Sequence, residues 1–547
     1  MKRHKRAEKE EAGPAQLSRL SRPWLAGLIT LAILAPFLNK AFHLDDTAFL
    51  RDARQILEAP LRPYDYEWNW YRSPQSRWVT SNNPPLNAYV LAAVSAAAGG
   101  REFVFHAVYA VMAAGCAALM YLIAQSFCRN AFLAAALTVA SPAFLVSAGN
   151  VMAEIPMLGL WLLSVYLCLH PDGARLWGAG AAASAAVMTK YFAAALVPLL
   201  AVYFLYKHRR WTVHLAGLLM PVAMLVLWSW YSKAHGGVIH PLSAASYAVE
   251  TTRDLRQQTA NTMAFLGGTL AWPLFLFPLA IRLRPAGLAA GAVLVGAVLW
   301  LGLGRVPEDI RGLWIVMAAG GVVTALFAAA SWRARPDADS ALLVLWLGGT
   351  IAFAMFFNWT VAARVILPAA FPSALLLVRW LESMEGGGAA YWTSWLKVAV
   401  ALTLGLSFLL ALVDLRHANA SRTFVETTVR DLKRDHPRIW FSGHWGFQYY
   451  MEREGAGPFN YQGQDLAAGD LIVMPGINTN VRKIQVPMQP VTQRAFPNPY
   501  PFHLMSPTSH AGFYSSLYGP APFGFSKEDY IDQFAVYRVT HVAPEGR

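Results

Sequence analysis

Apolar stretches of near-membrane length recur about thirteen times between residues 24 and 413, and this recurrence limits the chain to very few folds. In hydrocarbon every backbone N–H and C=O must be satisfied within its own segment, so such stretches become helices of about 17 to 25 residues. They fall near 24–41, 104–125, 131–149, 155–170, 175–189, 190–206, 211–231, 262–281, 286–304, 312–331, 340–357, 363–381 and 395–413. Charged residues make up 14% of the chain, against roughly 25% in soluble domains. The predicted fold class is an all-α polytopic membrane bundle.

The net charge of +13 does not point to nucleic acid. Its Lys and Arg sit in short connections between apolar runs, not in one stripe alternating with aromatics. Arg129, Arg175, Lys207, Arg209, Arg210, Arg282, Arg284, Arg333, Arg335 and Lys397 fall on alternate connections, on the side of the basic N-terminus 1–22. By the positive-inside rule that side is cytoplasmic. No small-residue cleavage site follows the first apolar run, which reads as an uncleaved helix. Cys116, Cys128 and Cys168 lie in or beside apolar segments and imply neither a disulfide framework nor a metal-binding CxxC.

The chain thus divides into the N-terminal segment 1–22, a transmembrane domain 23–414 and an extracytoplasmic domain 415–547. Within the second, residues 42–103 form a long first outer loop. Asp52–Leu57 has helical periodicity there, and Pro84–Leu91 opens an apolar run too short for a secure span, so both are predicted as interfacial helices. After Asp414 the composition shifts to Pro, Asn, Gln, His and Tyr. Arg438–Phe441, Asp470–Met474 and Gln533–Val539 read as short strands of a small α+β domain. Ser442–Gly446 is a turn between strand and helix, suggestive of a binding loop; a tight glycine turn with Trp445 packed beneath it is the plainer alternative.

Charged groups on the outer side are few. Asp45 and Asp46 follow the first span, where a helix C-terminus already carries partial negative charge, so acids there point to function. Glu154 begins an inward-running helix, where a carboxylate is favoured by ~0.3 to 1 kcal/mol whatever its role. Lys190 and Arg364 are read at helix N-termini, where a cation opposes the dipole and an anion held between helix end and side chain explains it. For Lys190, snorkelling to the interface is the bland alternative. Two carboxylate positions and two cations on one face suit a sugar carried on a lipid phosphate. The acid deprotonates or orients an attacking hydroxyl, and the cations balance charge on the departing phosphate.

Asp45-Asp46-Thr47-Ala48-Phe49, Asn83-Pro84-Pro85-Leu86, Ser141-Pro142-Ala143-Phe144, Met152-Ala153-Glu154-Ile155-Pro156-Met157, Thr189-Lys190 and Arg364-Val365-Ile366-Leu367-Pro368 occur in this order on the predicted outer face. The set resembles the C-type membrane glycosyltransferases, including the protein O-mannosyltransferase-like group and the aminoarabinose transferase of lipid A, over roughly residues 24–415. The resemblance implies a C-type fold in a cell inner membrane. It also implies inverting transfer of a monosaccharide from a polyprenyl-phosphate donor to a lipid, glycan or protein acceptor. Asp45 takes the place of the catalytic acid, with Asp46 adjoining it. Glu154 matches the second acidic position, Lys190 and Arg364 match donor-phosphate residues, and Asn83, Pro84 and Pro85 form a substrate loop. The family's Lys before Pro-Pro is Asn83 here. No cofactor is implied; a divalent metal held by His43 and Asp45 is left open, though a lone interfacial His is more often not a ligand. The rival readings are a transporter or flippase of lipid-linked sugar, which predicts charges near the bilayer midplane and broken helices in corresponding halves, and a non-enzymatic envelope assembly protein.

Overall fold

The computed structural model describes residues 22–250, 254–384 and 388–541. The basic N-terminus, apart from Arg22, lies outside them. Each predicted apolar stretch is helical over most of its length. Among the described residues eight helices are long and apolar enough to cross a membrane, and a ninth arises if the pair Ala131–Val139 and Pro142–Ala148, bent by 63°, is one span. The chain is a multi-pass membrane protein. The count of thirteen is finer than these lengths support, because several stretches are shortened by breaks. Pro142 cannot donate its backbone, so the first half ends before it, and the second starts afresh with Ser141 Oγ accepting the Phe144 N–H at 3.3 Å. Helix Leu255–Leu270 gives way to the 3-10 turns Trp272–Phe275 and Phe277–Arg282. The apolar helices Pro23–Phe37, Leu86–Ala98 and Glu154–Leu169 are short.

Glycine permits very close approaches in the bundle. A Cβ on Gly267 would lie 1.9 Å from the Met317 carbonyl oxygen, and one on Gly321 would lie 2.1 Å from that of Met263. Helices Leu255–Leu270 and Arg311–Ala334 therefore touch backbone to backbone, as small residues allow in membranes. Gly267→Ala is expected to force them apart at a cost of about 1–3 kcal/mol. The check is a lower unfolding temperature of the detergent-solubilised protein; an unchanged one counts against this packing.

The two ends of the bundle differ in their charges. At one end Arg379 pairs with Asp337 at 3.0 Å and donates to the Phe127 carbonyl at 2.9 Å, while Glu382 accepts the backbone N–H groups of Arg129 and Asn130 at 3.0 and 2.8 Å. The other end carries the first loop and the C-terminal domain. Helix Asp46–Glu58 and helix Leu86–Ala98 occupy the two places expected for loop helices. Between them the hairpin Glu67–Asn69 with Pro74–Ser76 leads to Arg77, whose fork holds Asp52 at 2.8 and 2.9 Å.

The last span does not stop at Asp414. Helix Gly388–Phe424 continues through the wider turn Val425–Val429 into Arg430–Asp435, so the change of composition marks a rod emerging from the bundle. Its domain is built on a five-stranded sheet in the order Gly457–Pro458, Ile439–Phe441, Leu471–Pro475, Tyr530–Val539, Met488–Pro497. The first three run parallel and the last two antiparallel to their neighbours. All three predicted strands are present. Met488–Pro497 escaped prediction because Pro490 and Pro497 interrupt an otherwise exposed edge.

Candidate functional site

The junction between bundle, first loop and C-terminal domain encloses a cavity of about 820 Å³. Asp45, Glu154, Lys190, Arg364 and Asn83 all line it. These residues are spread over 320 positions of chain (45–364) and meet because the bundle brings four helix ends to one place.

Asp45 is the N-cap residue of helix Asp46–Glu58 yet makes no capping bond with its side chain. Its Oδ2 instead accepts from Arg364 Nη1 at 2.6 Å. Arg364 is the second residue of helix Ala363–Glu382, the N-terminal position read from the sequence. Glu154 is the first residue of helix Glu154–Leu169 and accepts from Lys190 Nζ at 2.5 Å, while its Oε2 has no hydrogen-bond partner among the described residues. The two pairs are half-hidden: Lys190 and Arg364 retain 23% and 20% exposure, Asp45 28%, Glu154 4%. Charge is balanced across the wall, and both cations act on Glu154.

One of the dipole arguments fails although the residues converge. The first helical stretch ends at Phe37, so Asp45 and Asp46 open the next helix and stand at its favourable, positive end. Lys190 is the C-cap of helix Gly173–Thr189, where a cation is favoured, and at the same time the N-cap of the helical run Tyr191–Ala195 that continues as Leu196–His208, where it opposes the dipole as the sequence suggests. The placement of Asp45 and Asp46 therefore needs no functional reason by itself, whereas Arg364, and Lys190 toward the helical run that follows it, oppose a dipole.

Asp46 does not face the cavity. It is fully buried, with Oδ2 accepting the His43 N–H at 2.9 Å and Oδ1 the Val151 N–H at 3.0 Å, so it clamps the two backbones that carry Asp45 and Glu154. Burial pushes its carboxyl from 3.8 up to about 7, against Lys40 and the two N–H donors, which favour the anion. A folded-state value above the unfolded one means that the native form keeps a proton the unfolded form has lost. Stability should therefore fall as pH rises from about 4 to about 7. Thermal melts across that window are expected to show a shallower decline for Asp46→Asn than for the wild type. An identical slope would show that Asp46 does not titrate there.

Pro84 and Pro85 stand behind Asn83, beside the cavity and not among its lining residues. His43 turns away: its Nε2 lies 3.7 Å from Asp414 Oδ1, and burial, with His417 and Lys40 nearby, holds the imidazole well below its ordinary value. His43 and Asp45 thus serve different partners, and among the described residues no three His, Cys, Asp or Glu side chains converge as metal ligands.

Sequence reasoning missed much of the wall. Trp70 and Tyr71 come from the first loop, and Trp445, Asn480, Tyr514 and Tyr518 from the C-terminal domain. The Ser442–Gly446 turn was the one available signal. Tyr514 also joins a buried cluster: its hydroxyl donates to Asp414 at 2.9 Å and accepts from Asn150 Nδ2 at 2.9 Å, and Lys40 donates to both Asn150 and Asp414.

Residues 82–232 match a family model described as dolichyl-phosphate-mannose-protein mannosyltransferase. That segment contains Asn83, Glu154 and Lys190; Asp45 and Arg364 lie outside it. The resemblance to the C-type membrane glycosyltransferases, of the mannosyltransferase-like group, is borne out. Among solved structures, the chain is similar to ArnT from Cupriavidus metallidurans bound to undecaprenyl phosphate, at 14% identity and a TM-score of 0.41, covering 85% of this chain and 94% of that one. It is similar also to the Archaeoglobus fulgidus oligosaccharyltransferase in its apo form, at 15% identity and a TM-score of 0.48, covering 81% and 64%. The arabinosyltransferase EmbB of Mycobacterium smegmatis is similar at 15% identity and a TM-score of 0.34, covering 73% and 41%. No curated protein matches the chain in sequence.

Proposed function

We propose that the protein is an integral-membrane glycosyltransferase that moves a monosaccharide from a polyprenyl-phosphate donor to an acceptor hydroxyl in the cavity, at the outer face of a cell inner membrane. The observation that carries this reading is the pair of ion pairs, Asp45–Arg364 and Glu154–Lys190, facing one cavity at the loop end of a membrane bundle. A phosphate entering between Arg364 and Lys190 finds two cations already held in place. It competes with Asp45 for Arg364, and an Asp45 carboxylate released from its pair is the stronger base. The acceptor oxygen then attacks the anomeric carbon as the bond from that carbon to the phosphate oxygen breaks. Asp45 takes the hydroxyl proton, and the lipid phosphate leaves with its charge matched by Lys190 and Arg364. Direct displacement inverts the anomeric centre.

Glu154 serves in this reading to hold Lys190, and Asp46 to fix the backbone beneath Asp45. Asn83 contacts substrate, with Pro84 and Pro85 stiffening its loop. Membrane lipids surround the bundle, and nucleic acid has no part. A divalent metal would need ligands other than His43 with Asp45. The test is mass spectrometry of envelope glycans, lipids and proteins from a deletion strain. Loss of one sugar increment, restored by the wild-type gene, is the expected result; an unchanged envelope sinks the assignment and favours transport or assembly.

A further inference from the structure

The charged residues lining the cavity are Asp45, Arg77, Glu154, Lys190 and Arg364, and each is paired. The rest of the wall toward the C-terminal domain is neutral and aromatic. Trp445 and Tyr518 stand 5.8 Å apart at their ring centroids, and Tyr71 lies 6.5 Å from Tyr247, which lies 5.9 Å from Trp359. Uncharged hydrogen-bonding groups sit among the rings, Thr479, Asn480 and Ser515 from the domain and Asn82 from the first loop. Flat rings interleaved with amides and hydroxyls match a molecule with apolar C–H faces and a rim of hydroxyls. They do not match a charged headgroup, which would need an unpaired ion to meet it.

Trp445 is the least expected member of this band. Its φ is 62°, a left-handed value that a bulky residue rarely adopts. The neighbouring structure enforces it: the His444 N–H donates to Asn478 Oδ1 at 2.6 Å, and Asn478 Nδ2 donates back to the His444 carbonyl at 3.1 Å. Gly446 then rests on the first loop so closely that a Cβ there would lie 2.2 Å from the Phe42 carbonyl oxygen. The turn that aims the indole into the cavity is thus seated three residues before Asp45. Leu44 and Asn480, two more cavity residues, also have positive φ, at 48° and 58°.

Resting on the transferase reading above, we infer that the acceptor is a saccharide, one of whose rings stacks on Trp445 so that a hydroxyl reaches Asp45. The lipid and protein acceptors are thereby set aside. The deletion strain is complemented with wild type, Asp45→Asn, Trp445→Gly and Trp445→Phe at equal membrane levels. The sugar increment is then located by mass spectrometry in glycan, lipid and protein fractions, and each variant is melted after purification. Glycine takes positive φ freely, so Trp445→Gly removes the ring while relieving the backbone. It should melt no lower than wild type yet transfer about tenfold less or worse, the loss expected for removing an aromatic anchor. Trp445→Phe, which keeps a flat face, should recover most of the transfer. The increment should sit on a sugar residue. An increment on a protein side chain or directly on a lipid headgroup overturns the inference, as does wild-type transfer by Trp445→Gly. If that variant unfolds, Tyr71→Leu carries the same test away from the turn. No increment from wild type overturns the transferase reading itself, and this inference with it.

Discussion

Asp45→Asn should lower sugar transfer by about 10²- to 10⁴-fold, the usual contribution of a general base, while the protein still inserts and melts within a few degrees of wild type. The amide is nearly isosteric and keeps an oxygen that can accept from Arg364, so the 2.6 Å contact is weakened and not replaced by a void. What disappears is the site for the acceptor proton. The loss of one anion from a wall whose charged residues are otherwise all paired leaves a net positive charge, which should hold a lipid phosphate more tightly. The prediction is therefore specific in its pattern: turnover collapses, and the donor KM stays level or falls. Donor turnover and donor binding measured on the purified variant check both halves. Wild-type turnover by Asp45→Asn would remove Asp45 from the chemistry, whereas a large rise in donor KM would assign it to donor positioning instead.

How far the sequence could have led differs between parts of the molecule for physical reasons. Helices were legible because hydrophobicity in a membrane protein must persist over a whole crossing. Their number was less legible, since Pro142 and the 3-10 turns after Leu270 interrupt apolar runs without changing their hydropathy. The meeting of Asp45, Glu154, Lys190 and Arg364 was foreseen from sidedness, which needs only the alternation of loops. The reason given for Asp45 was not sound. Asp45 and Asp46 belong to the next helix because the first one ends at Phe37, before Asn39 and Lys40, and not near residue 41, while Lys190 both closes one helix and opens the next helical run. The role of Asp46 was hidden for another reason: its partners are backbone N–H groups, one of them 105 residues away, which leave no pattern in sequence. The aromatic wall combines residues near 70, 247, 359, 445 and 518 and depends on how the C-terminal domain sits on the bundle. No local periodicity encodes that.

The seat of that domain gives the second large effect, expected from Lys40→Met. Lys40 follows the first helix, is 1% exposed, and donates to Asp414 on the last span and to Asn150 Oδ1 at 2.6 Å just before the Glu154 helix. Asp414 in turn accepts from Tyr514 of the C-terminal domain, whose phenol burial and the adjacent carboxylate hold well above its ordinary pKa, so that it remains a donor. Four distant segments thus share one buried charge pair. Removing the ammonium leaves the Asp414 carboxylate in a dry site with a single hydroxyl donor, which should cost about 3–5 kcal/mol. Because Tyr514 also lines the cavity, the damage should extend to the site and not stop at the fold. Asp414→Leu added to Lys40→Met removes the stranded charge and should restore much of the stability, since a buried ion pair is often no better than apolar residues of similar size. The double variant should nevertheless transfer poorly: Tyr514 loses its acceptor, and the aromatic wall loses its fixed distance from Asp45. Melting temperatures of the two single variants and the double, with transfer measured on each, separate the contributions. If the double variant is no more stable than Lys40→Met, the pair is a net stabiliser in its own right. If it transfers as wild type does, the Tyr514 anchor has no bearing on the reaction.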